Sequence, residues 1–184
     1  DLPFLKKIEK YMHPGDEIAL HAEPDFIGIQ NYTREVVKHS YFTPYINSTL
    51  VDAKNRVDEI TEMAWEIYPQ AMHEMLHQFS KYNFKKLYVT ENGAAFQDIV
   101  ENGNVNDPKR LSYLQSNIAE ILRAKNEGVN VQGYFVWSFT DNFEWAEGYR
   151  PRFGIVHVDY ETQKRIIKAS GLWYSDFLSE LLFI

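Results

Sequence analysis

The sequence predicts an α/β fold built from parallel strands, and two patterns predict it. Short apolar runs alternate with longer segments in which apolar residues recur every three or four positions. This alternation is typical of successive strand–helix units. In the first and third of the predicted strands the apolar residues are nearly continuous, as expected for strands that are covered on both faces. No internal repeat, linker or low-complexity segment divides the chain.

The predicted elements follow one another along the whole chain. The strands are Asp25–Tyr32, Lys85–Thr90 and Gln132–Trp137. Helical periodicity predicts helices over Trp65–Tyr82, Pro108–Glu127 and Lys168–Leu182. In the second helix, Asp107 is the predicted N-cap, Pro108 occupies the first turn and Gly128 ends the helix. His39–Asn55 is predicted to be one long irregular stretch, a kind of segment that is usually functional or mobile.

Composition narrows the classes of function. The 184 residues suffice for a domain with a core, and 45% of them are hydrophobic. The twelve Tyr, twelve Phe and four Trp fit either sugar recognition or an aromatic-rich core. A net charge of −7 with no Lys/Arg run longer than two argues against nucleic acid and anionic membranes as partners. The absence of Cys and of a secretory signal in the first residues favours a cytoplasmic location.

Glu91 stands out because of its position relative to a predicted strand. It follows the run Leu87-Tyr88-Val89-Thr90 and precedes the turn dipeptide Asn92-Gly93. An acid at the end of a parallel strand points into the space beyond the strand's carboxyl end, where α/β barrels carry out their chemistry. The alternative is a Glu that caps a surface loop.

Five segments together resemble glycoside hydrolase family 1, the retaining β-glycosidases that include β-glucosidases and β-galactosidases. They are Asp25-Phe26-Ile27-Gly28-Ile29-Gln30-Asn31-Tyr32-Thr33, Trp65-Glu66-Ile67-Tyr68-Pro69, Thr90-Glu91-Asn92-Gly93, Gly133–Trp145 and Gly148–Asp159. The resemblance runs from about residue 25 to about residue 174. It implies the carboxyl-terminal part of a (β/α)₈ barrel, namely about three βα units with strands six to eight. Residues 1–184 would then be part of a single catalytic domain whose amino-terminal part is absent from this chain.

The resemblance also assigns roles near the end of the second predicted strand. It makes Glu91 the nucleophile and Tyr32 the residue whose hydroxyl orients it. Gln30 stands where the family usually has Asn, and its longer amide can make the same contact.

The remaining implied contacts are to the sugar. Trp137 would form the floor on which the ring stacks, the alternative being a Trp buried between barrel and helices. Glu144 and Trp145 match the pair that hydrogen-bonds hydroxyls at the non-reducing end, and a carboxylate there would repel a 6-phosphate. Phe153 either borders the O6 side or is plain hydrophobic packing. Asp141 is predicted to tie its loop through backbone bonds.

The second carboxyl group that retention requires, about 5 Å from the first, is not evident. The family's acid/base lies in an Asn-Glu-Pro motif, which this chain lacks. Glu23 precedes Pro24, but it lies at the amino end of the first predicted strand, far from Glu91, and is rejected as a substitute.

Two functions follow. The first is a retaining β-glycosidase that acts on terminal β-D-glucosyl residues of β-glucosides or short oligosaccharides once a further part completes the barrel, the chain alone being inactive. The second is a non-catalytic half-barrel assembly module with residual carbohydrate binding. No cofactor is expected. His73 and His77 are four residues apart, but the sequence offers no evident third ligand, so no metal site is predicted, and His157 is expected to be structural.

Overall fold

Three parallel strands form the centre of the computed structural model, which describes residues 9–82 and 84–181. In chain order the elements are α1 (Asp16–Leu20), β1 (Ile27–Gln30), β2 (Val37–His39), β3 (Ser48–Leu50), α2 (Gln70–Ser80), β4 (Leu87–Asn92), β5 (Val100–Glu101), β6 (Asn104–Val105), α3 (Pro108–Asn126), β7 (Val131–Val136), β8 (Val156–Val158), β9 (Arg165–Ile167) and α4 (Ala169–Leu181). Short 3₁₀ helices lie at Ala53–Asn55 and Trp145–Glu147.

The central sheet has the order β1-β4-β7, and both pairings are parallel. Strand β4 is therefore the middle strand, and the carboxyl ends of all three strands lie at the same edge. The register between β1 and β4 shifts after Ile29, so that Gln30 pairs with Glu91 rather than with Thr90. This shift brings the last residue of β1 level with the predicted nucleophile.

One face of the sheet packs against α2 and α3. Alternate strand residues such as Ile29, Leu87 and Val89 are buried in a core that also contains Met72 and Leu76 of α2. Side chains of a strand alternate between its faces, and helical residues three or four apart share a face, so these two periodicities build one apolar layer. Burying each large apolar side chain contributes roughly 1.5–3 kcal/mol.

The opposite face of the sheet is less covered within the described part of the chain. Phe135 of β7 is 57% exposed there, and Phe26, just before β1, is 52% exposed. These exposures match a sheet that lacks its neighbours. Over the same described residues, no helix has both the length and the apolar content that crossing a bilayer requires.

Most predicted boundaries are confirmed within two residues, but the first long helix is not. The structure begins α2 at Gln70 rather than at Trp65. The Trp65 carbonyl accepts from the Thr61 amide at 2.9 Å, and Glu66 pairs with Ile60 in a β-bridge. These bonds engage the main chain, so the helix starts only after Pro69. For the last helix, the predicted end at Leu182 lies outside the described residues.

One further sequence expectation is wrong, and the two for the ends of α3 are confirmed. The stretch His39–Asn55 is not irregular throughout. It contains the last residue of β2, the whole of β3, which pairs with β2 in antiparallel fashion, and a 3₁₀ turn. Asp107 holds the N-cap position of α3, but its side chain makes no capping bond. Its carboxylate instead accepts from the main-chain and side-chain donors of Ser170 and from Arg110. The predicted stop at Gly128 is confirmed, since this residue has φ of +100°.

Candidate active site

Glu91 lies near the end of the central strand, and each of its carboxylate oxygens has a donor from the neighbouring segment. Gln30 donates from Nε2 to Oε1 at 2.8 Å, and the Tyr32 hydroxyl donates to Oε2 at 2.5 Å. The parallel pairing and the register shift place both donors beside Glu91. Hydrogen bonds to an ionised acceptor are short and strong, so the two donors fix the orientation of the carboxylate.

The Tyr32 hydroxyl holds its proton more tightly than the hydroxyl of an ordinary tyrosine. Burial, the hydrogen bond to Glu91, and the negative charges of Glu91 and Glu144 all raise the pKa of Tyr32 well above its usual value. The ring of Tyr32 lies 5.3 Å from that of Trp65 and 6.3 Å from that of Phe153, between ring centroids.

Asn92, the last residue of β4, anchors the strand end from the buried side. Its side chain is fully buried. Its amide group donates to the Asn31 carbonyl at 2.8 Å and to the Tyr113 hydroxyl at 3.0 Å, and a longer contact of 3.4 Å reaches Asn117. The Tyr134 hydroxyl donates to Asn92 Oδ1 at 2.8 Å. These bonds join β1, β4, α3 and β7 at a single side chain.

Gly93 lets the ends of β4 and β7 approach closely. A Cβ added at this position would lie 1.6 Å from the carbonyl oxygen of Trp137, so only glycine fits. The Trp137 amide donates to the Asn92 carbonyl at 2.9 Å, and the peptide bond between Trp137 and Ser138 is cis. Trp137 therefore directly adjoins the residues that follow Glu91.

Glu144 is held by a chain of hydrogen bonds from the end of β7. Ser138 Oγ donates to Asn142 Oδ1 at 3.0 Å, and Asn142 Nδ2 donates to Glu144 Oε2 at 3.3 Å. Trp145, the other predicted sugar contact in this loop, is 82% exposed at the start of a 3₁₀ turn. Both residues thus lie on a surface loop, and Glu144 is tied back to the strand.

Asp141 fastens the other side of this loop, as the sequence predicted. Its carboxylate accepts from the amides of Gly154 and Val158 at 3.0 and 3.2 Å, and from the ammonium group of Lys168 at 3.0 Å. Lys168 also lies 2.6 Å from Asp98. Burial and the charge of Arg110 lower the pKa of Lys168. His157 donates from Nδ1 to the carboxylate of Asp98 at 3.0 Å, in the structural role expected for it.

Two other predicted positions are now located. Phe153 is 1% exposed and packs beside Tyr32 and Trp65, which favours the packing interpretation. Glu23 is an exposed residue before β1 and shares a surface cleft with Lys85, just before β4. It therefore lies at the amino ends of the strands, whereas Glu91 lies at the carboxyl ends.

Sequence reasoning missed the residues that support the segment around Glu91 from the buried side. Tyr113 and Asn117 lie four positions apart on the apolar face of α3, and the Tyr113 hydroxyl donates to the Tyr32 carbonyl at 2.8 Å. Polar residues on a buried helix face must find partners. Their position among apolar residues was the available signal, but it did not identify those partners.

Comparison with known proteins gives a consistent picture. The family model described as "Glycosyl hydrolase family 1" matches residues 6–181. The 1,4-beta-D-glucan glucohydrolase of Thermotoga neapolitana is 44% identical over 96% of this chain and 39% of its own length. The 6-phospho-beta-galactosidase of Clostridium acetobutylicum is 45% identical over 62% of this chain and 24% of its own length.

A solved structure shows the same geometry. The beta-glucosidase from Thermotoga maritima in complex with deoxynojirimycin superposes with a TM-score of 0.86 at 41% identity, covering 96% of this chain and 40% of that protein. The chain thus spans about 40% of the length of such relatives. The predicted fold, a part of a (β/α)₈ barrel, is confirmed.

Proposed function

Because the chain belongs to glycosyl hydrolase family 1, we propose that it forms the nucleophile side of a retaining β-glycosidase active site. The reaction is hydrolysis of terminal, non-reducing β-D-glucosyl residues. In this proposal residues 1–184 are the carboxyl-terminal part of one catalytic domain, and the acid/base Glu is supplied from outside the chain.

The observation that carries the proposal is the pair of donors on Glu91. A carboxylate that merely caps a surface loop needs no dedicated partner on each oxygen. Here Gln30 and Tyr32 take one oxygen each, and Asn92 locks the strand immediately after Glu91. A nucleophile requires such a fixed orientation, because a group that is already held in the geometry of attack lowers the activation free energy of the reaction.

The proposed chemistry proceeds in two displacements. A Glu91 oxygen attacks the anomeric carbon while the bond from that carbon to the leaving oxygen breaks, and the external acid protonates the leaving oxygen. Water, deprotonated by the same external group, then attacks the anomeric carbon and releases Glu91 as a carboxylate. Tyr32 and Gln30 hold Glu91 in place in both steps, and Trp137 supports the sugar ring.

Glu144 supports a non-phosphorylated sugar as the substrate. A carboxylate can accept hydrogen bonds from two sugar hydroxyls but repels a phosphate dianion at close range. The similarity to a 6-phospho-beta-galactosidase makes this choice worth testing directly. Glu144 is therefore the side chain that we propose to make the site prefer β-glucosides over 6-phospho-β-glycosides.

The test is covalent trapping in the longest natural polypeptide that contains this sequence. A 2-fluoro-β-glucoside with a good leaving group should inactivate the enzyme and label the peptide that contains Glu91, as located by mass spectrometry. Glu91→Gln should remove both turnover and label while leaving the fold intact, since the change is nearly isosteric. Glu101→Gln, at an exposed hairpin position, is the matched control. A label on any other residue would contradict the assignment of Glu91.

The non-catalytic alternative rests on the open sheet. The exposed Phe135 and Phe26 indicate an apolar surface that further strands and helices must cover. If no polypeptide contains both this chain and an acid/base, the chain alone should bind glucosides weakly without turnover. A p-nitrophenyl glucoside assay combined with sedimentation distinguishes the two functions: a soluble, well-folded monomer with ordinary turnover would contradict both.

A further inference from the structure

Helix α2 and the end of helix α3 bring three potential metal ligands together, far from the candidate active site. His73 and His77 lie one turn apart on α2, and Glu127 is the C-cap residue of α3. Helix α2 leads into the amino end of β4, and α3 leads into the amino end of β7. The cluster therefore lies toward the amino ends of the strands, whereas Glu91 lies at their carboxyl ends.

The ligand atoms converge on one point. Nε2 of His73 and Nε2 of His77 both lie 2.7 Å from the same oxygen, Oε2 of Glu127. The two imidazole rings are 4.5 Å apart between centroids. The three residues each offer one ligand atom, and these atoms all lie within 4.8 Å of one another. Two imidazole nitrogens and one carboxylate oxygen at such close range are a candidate ligand set for a metal ion.

We propose that His73, His77 and Glu127 bind a zinc ion that joins α2 to α3. Two histidines four residues apart on a helix face, completed by a glutamate from elsewhere, are an established zinc ligand set, with water in the fourth position. At Zn–N and Zn–O distances of about 2.0–2.1 Å, tetrahedral ligand atoms lie roughly 3.3 Å apart. The two distances of 2.7 Å between a histidine Nε2 and Oε2 of Glu127 must therefore increase by roughly 0.6 Å when zinc binds.

The side chains have room for that adjustment. The exposed fractions of the His73, His77 and Glu127 side chains are 15%, 35% and 45%. Nε of Arg123 lies 3.6 Å from Oε1 of Glu127, which leaves Oε2 for the metal but places a positive charge nearby.

Glu74 indicates that the zinc is structural rather than catalytic. The segment reads His73-Glu74-Met75-Leu76-His77, and in metalloproteases with this pattern the Glu serves as a base beside the metal. Here the Glu74 carboxylate is directed to the Tyr68 hydroxyl, at 3.5 Å. It therefore faces away from the ligand cluster.

A second group of acids and a histidine does not compete for this role. Asp98, Asp141 and His157 also lie close together, but the ammonium group of Lys168 sits 2.6 Å from Asp98 and 3.0 Å from Asp141. That fixed positive charge occupies the position that a cation would need. At the site on α2 and α3 the guanidinium group of Arg123 lies against Oε1 of Glu127, and the two histidines lie against Oε2.

Zinc titration by calorimetry, with the longest natural polypeptide that contains this sequence, tests the proposal. One zinc ion should bind per chain, and His73→Gln or Glu127→Gln should weaken binding by at least about tenfold, since loss of a residue that only hydrogen-bonds a metal ligand already costs about 10–100-fold in metal affinity. The matched control is His39→Gln, because His39 is an exposed histidine on β2, and it should leave the affinity unchanged. Arg123→Gln should tighten binding, because it removes the nearby positive charge.

Thermal unfolding gives an independent readout. Zinc that binds only the folded state must raise the unfolding temperature, and EDTA should reverse the increase in the unaltered protein but have no effect on His73→Gln. Hydrolysis of glucosides should be the same with zinc and with EDTA. Absence of binding at millimolar zinc, or equal affinity in the His73→Gln and unaltered proteins, would overturn the proposal.

Discussion

Asn92→Ala should be one of the most destabilising single changes in this chain. The alanine removes a fully buried amide that connects two strands, a helix and the segment carrying Tyr32. The Tyr113 hydroxyl loses one bond but keeps its bond to the Tyr32 carbonyl. Two other groups lose the bond that they make to Asn92: the Asn31 carbonyl and the Tyr134 hydroxyl. Both of these bonds end on a side chain that is itself fully buried, so water cannot easily replace them.

The size of the effect follows from those two groups. Leaving a buried donor or acceptor unsatisfied costs about 1–3 kcal/mol, so two of them give a loss of about 2–6 kcal/mol in the free energy of unfolding. A natural domain has only about 5–15 kcal/mol in total. Because the Asn31 carbonyl and the end of β4 also set the position of Glu91, kcat/KM for a β-glucoside should fall together with stability.

Urea denaturation of the completed protein measures the first effect, and a second substitution tests its cause. Tyr134→Phe alone should cost about 1 kcal/mol. In the Asn92→Ala background the same change should be neutral or stabilising, because it removes the orphaned hydroxyl. Asn104→Ala, at an exposed hairpin position, should stay within about 0.5 kcal/mol of the unaltered protein. A loss below about 1 kcal/mol for Asn92→Ala, or strict additivity with Tyr134→Phe, would refute this reasoning.

Three further predictions concern the sugar, the nucleophile and pH. Glu144→Gln should lower kcat/KM for a β-glucoside at least about tenfold, since hydrogen bonds to a charged group are worth about 1.5–3 kcal/mol. It should also reduce the preference for β-glucosides over 6-phospho-β-glucosides. Steady-state kinetics on both substrates test this, and an unchanged ratio of the two kcat/KM values would mean that Glu144 does not touch the sugar. Gln30→Ala should lower kcat/KM about five- to tenfold, because it removes the 2.8 Å bond to Glu91, whose contribution at an exposed residue is about 1 kcal/mol. Gln132→Ala, at an exposed position near the start of β7, is the control. Burial raises the pKa of Tyr32, Tyr113 and Tyr134. The stability that these residues contribute is therefore complete below the ordinary tyrosine pKa of about 10 and is lost as the pH rises above it, because the unfolded chain then loses the phenol protons first. The unfolding temperature should decline between about pH 8 and about pH 11.5, and Tyr134→Phe should make this decline less steep.

The sequence predicted the parallel strands well because their signal is local. The apolar runs around Ile29 and Val89 are buried in the core that the periodicity of α2 and α3 completes. The start of α2 was harder to predict. The residues Trp65–Pro69 continue the helical spacing of apolar side chains, but their main chain is engaged by the Thr61 segment, a tertiary contact that no local pattern reports. The Asn102-Gly103 turn between β5 and β6 did carry a local hairpin signal.

The candidate site divides in the same way. Glu91, Tyr32 and Gln30 could be selected because each lies at a strand end within a recognisable motif, and the structure brings the three together. The supporting residues Tyr113 and Asn117 lie more than twenty positions away on a helix, and only the packing of α3 against β4 joins them to Asn92. The same reason hid the ligand cluster on α2, since His73 and Glu127 are 54 positions apart.

The arrangement of the three strands explains why the nucleophile side of the site can be complete while the barrel is not. Strand β4 lies in the middle of the described sheet, so Glu91 receives its donors from the β1 side, and Asn92 receives the Tyr134 hydroxyl and the Trp137 amide from the β7 side. Every one of these contacts runs between neighbouring strands or to α3. A further part of the barrel would pair with the outer edges of β1 and β7 and would not need to reposition β4. The orientation of Glu91 is therefore a property of this segment itself, and under the proposed function the rest of the barrel supplies the proton donor.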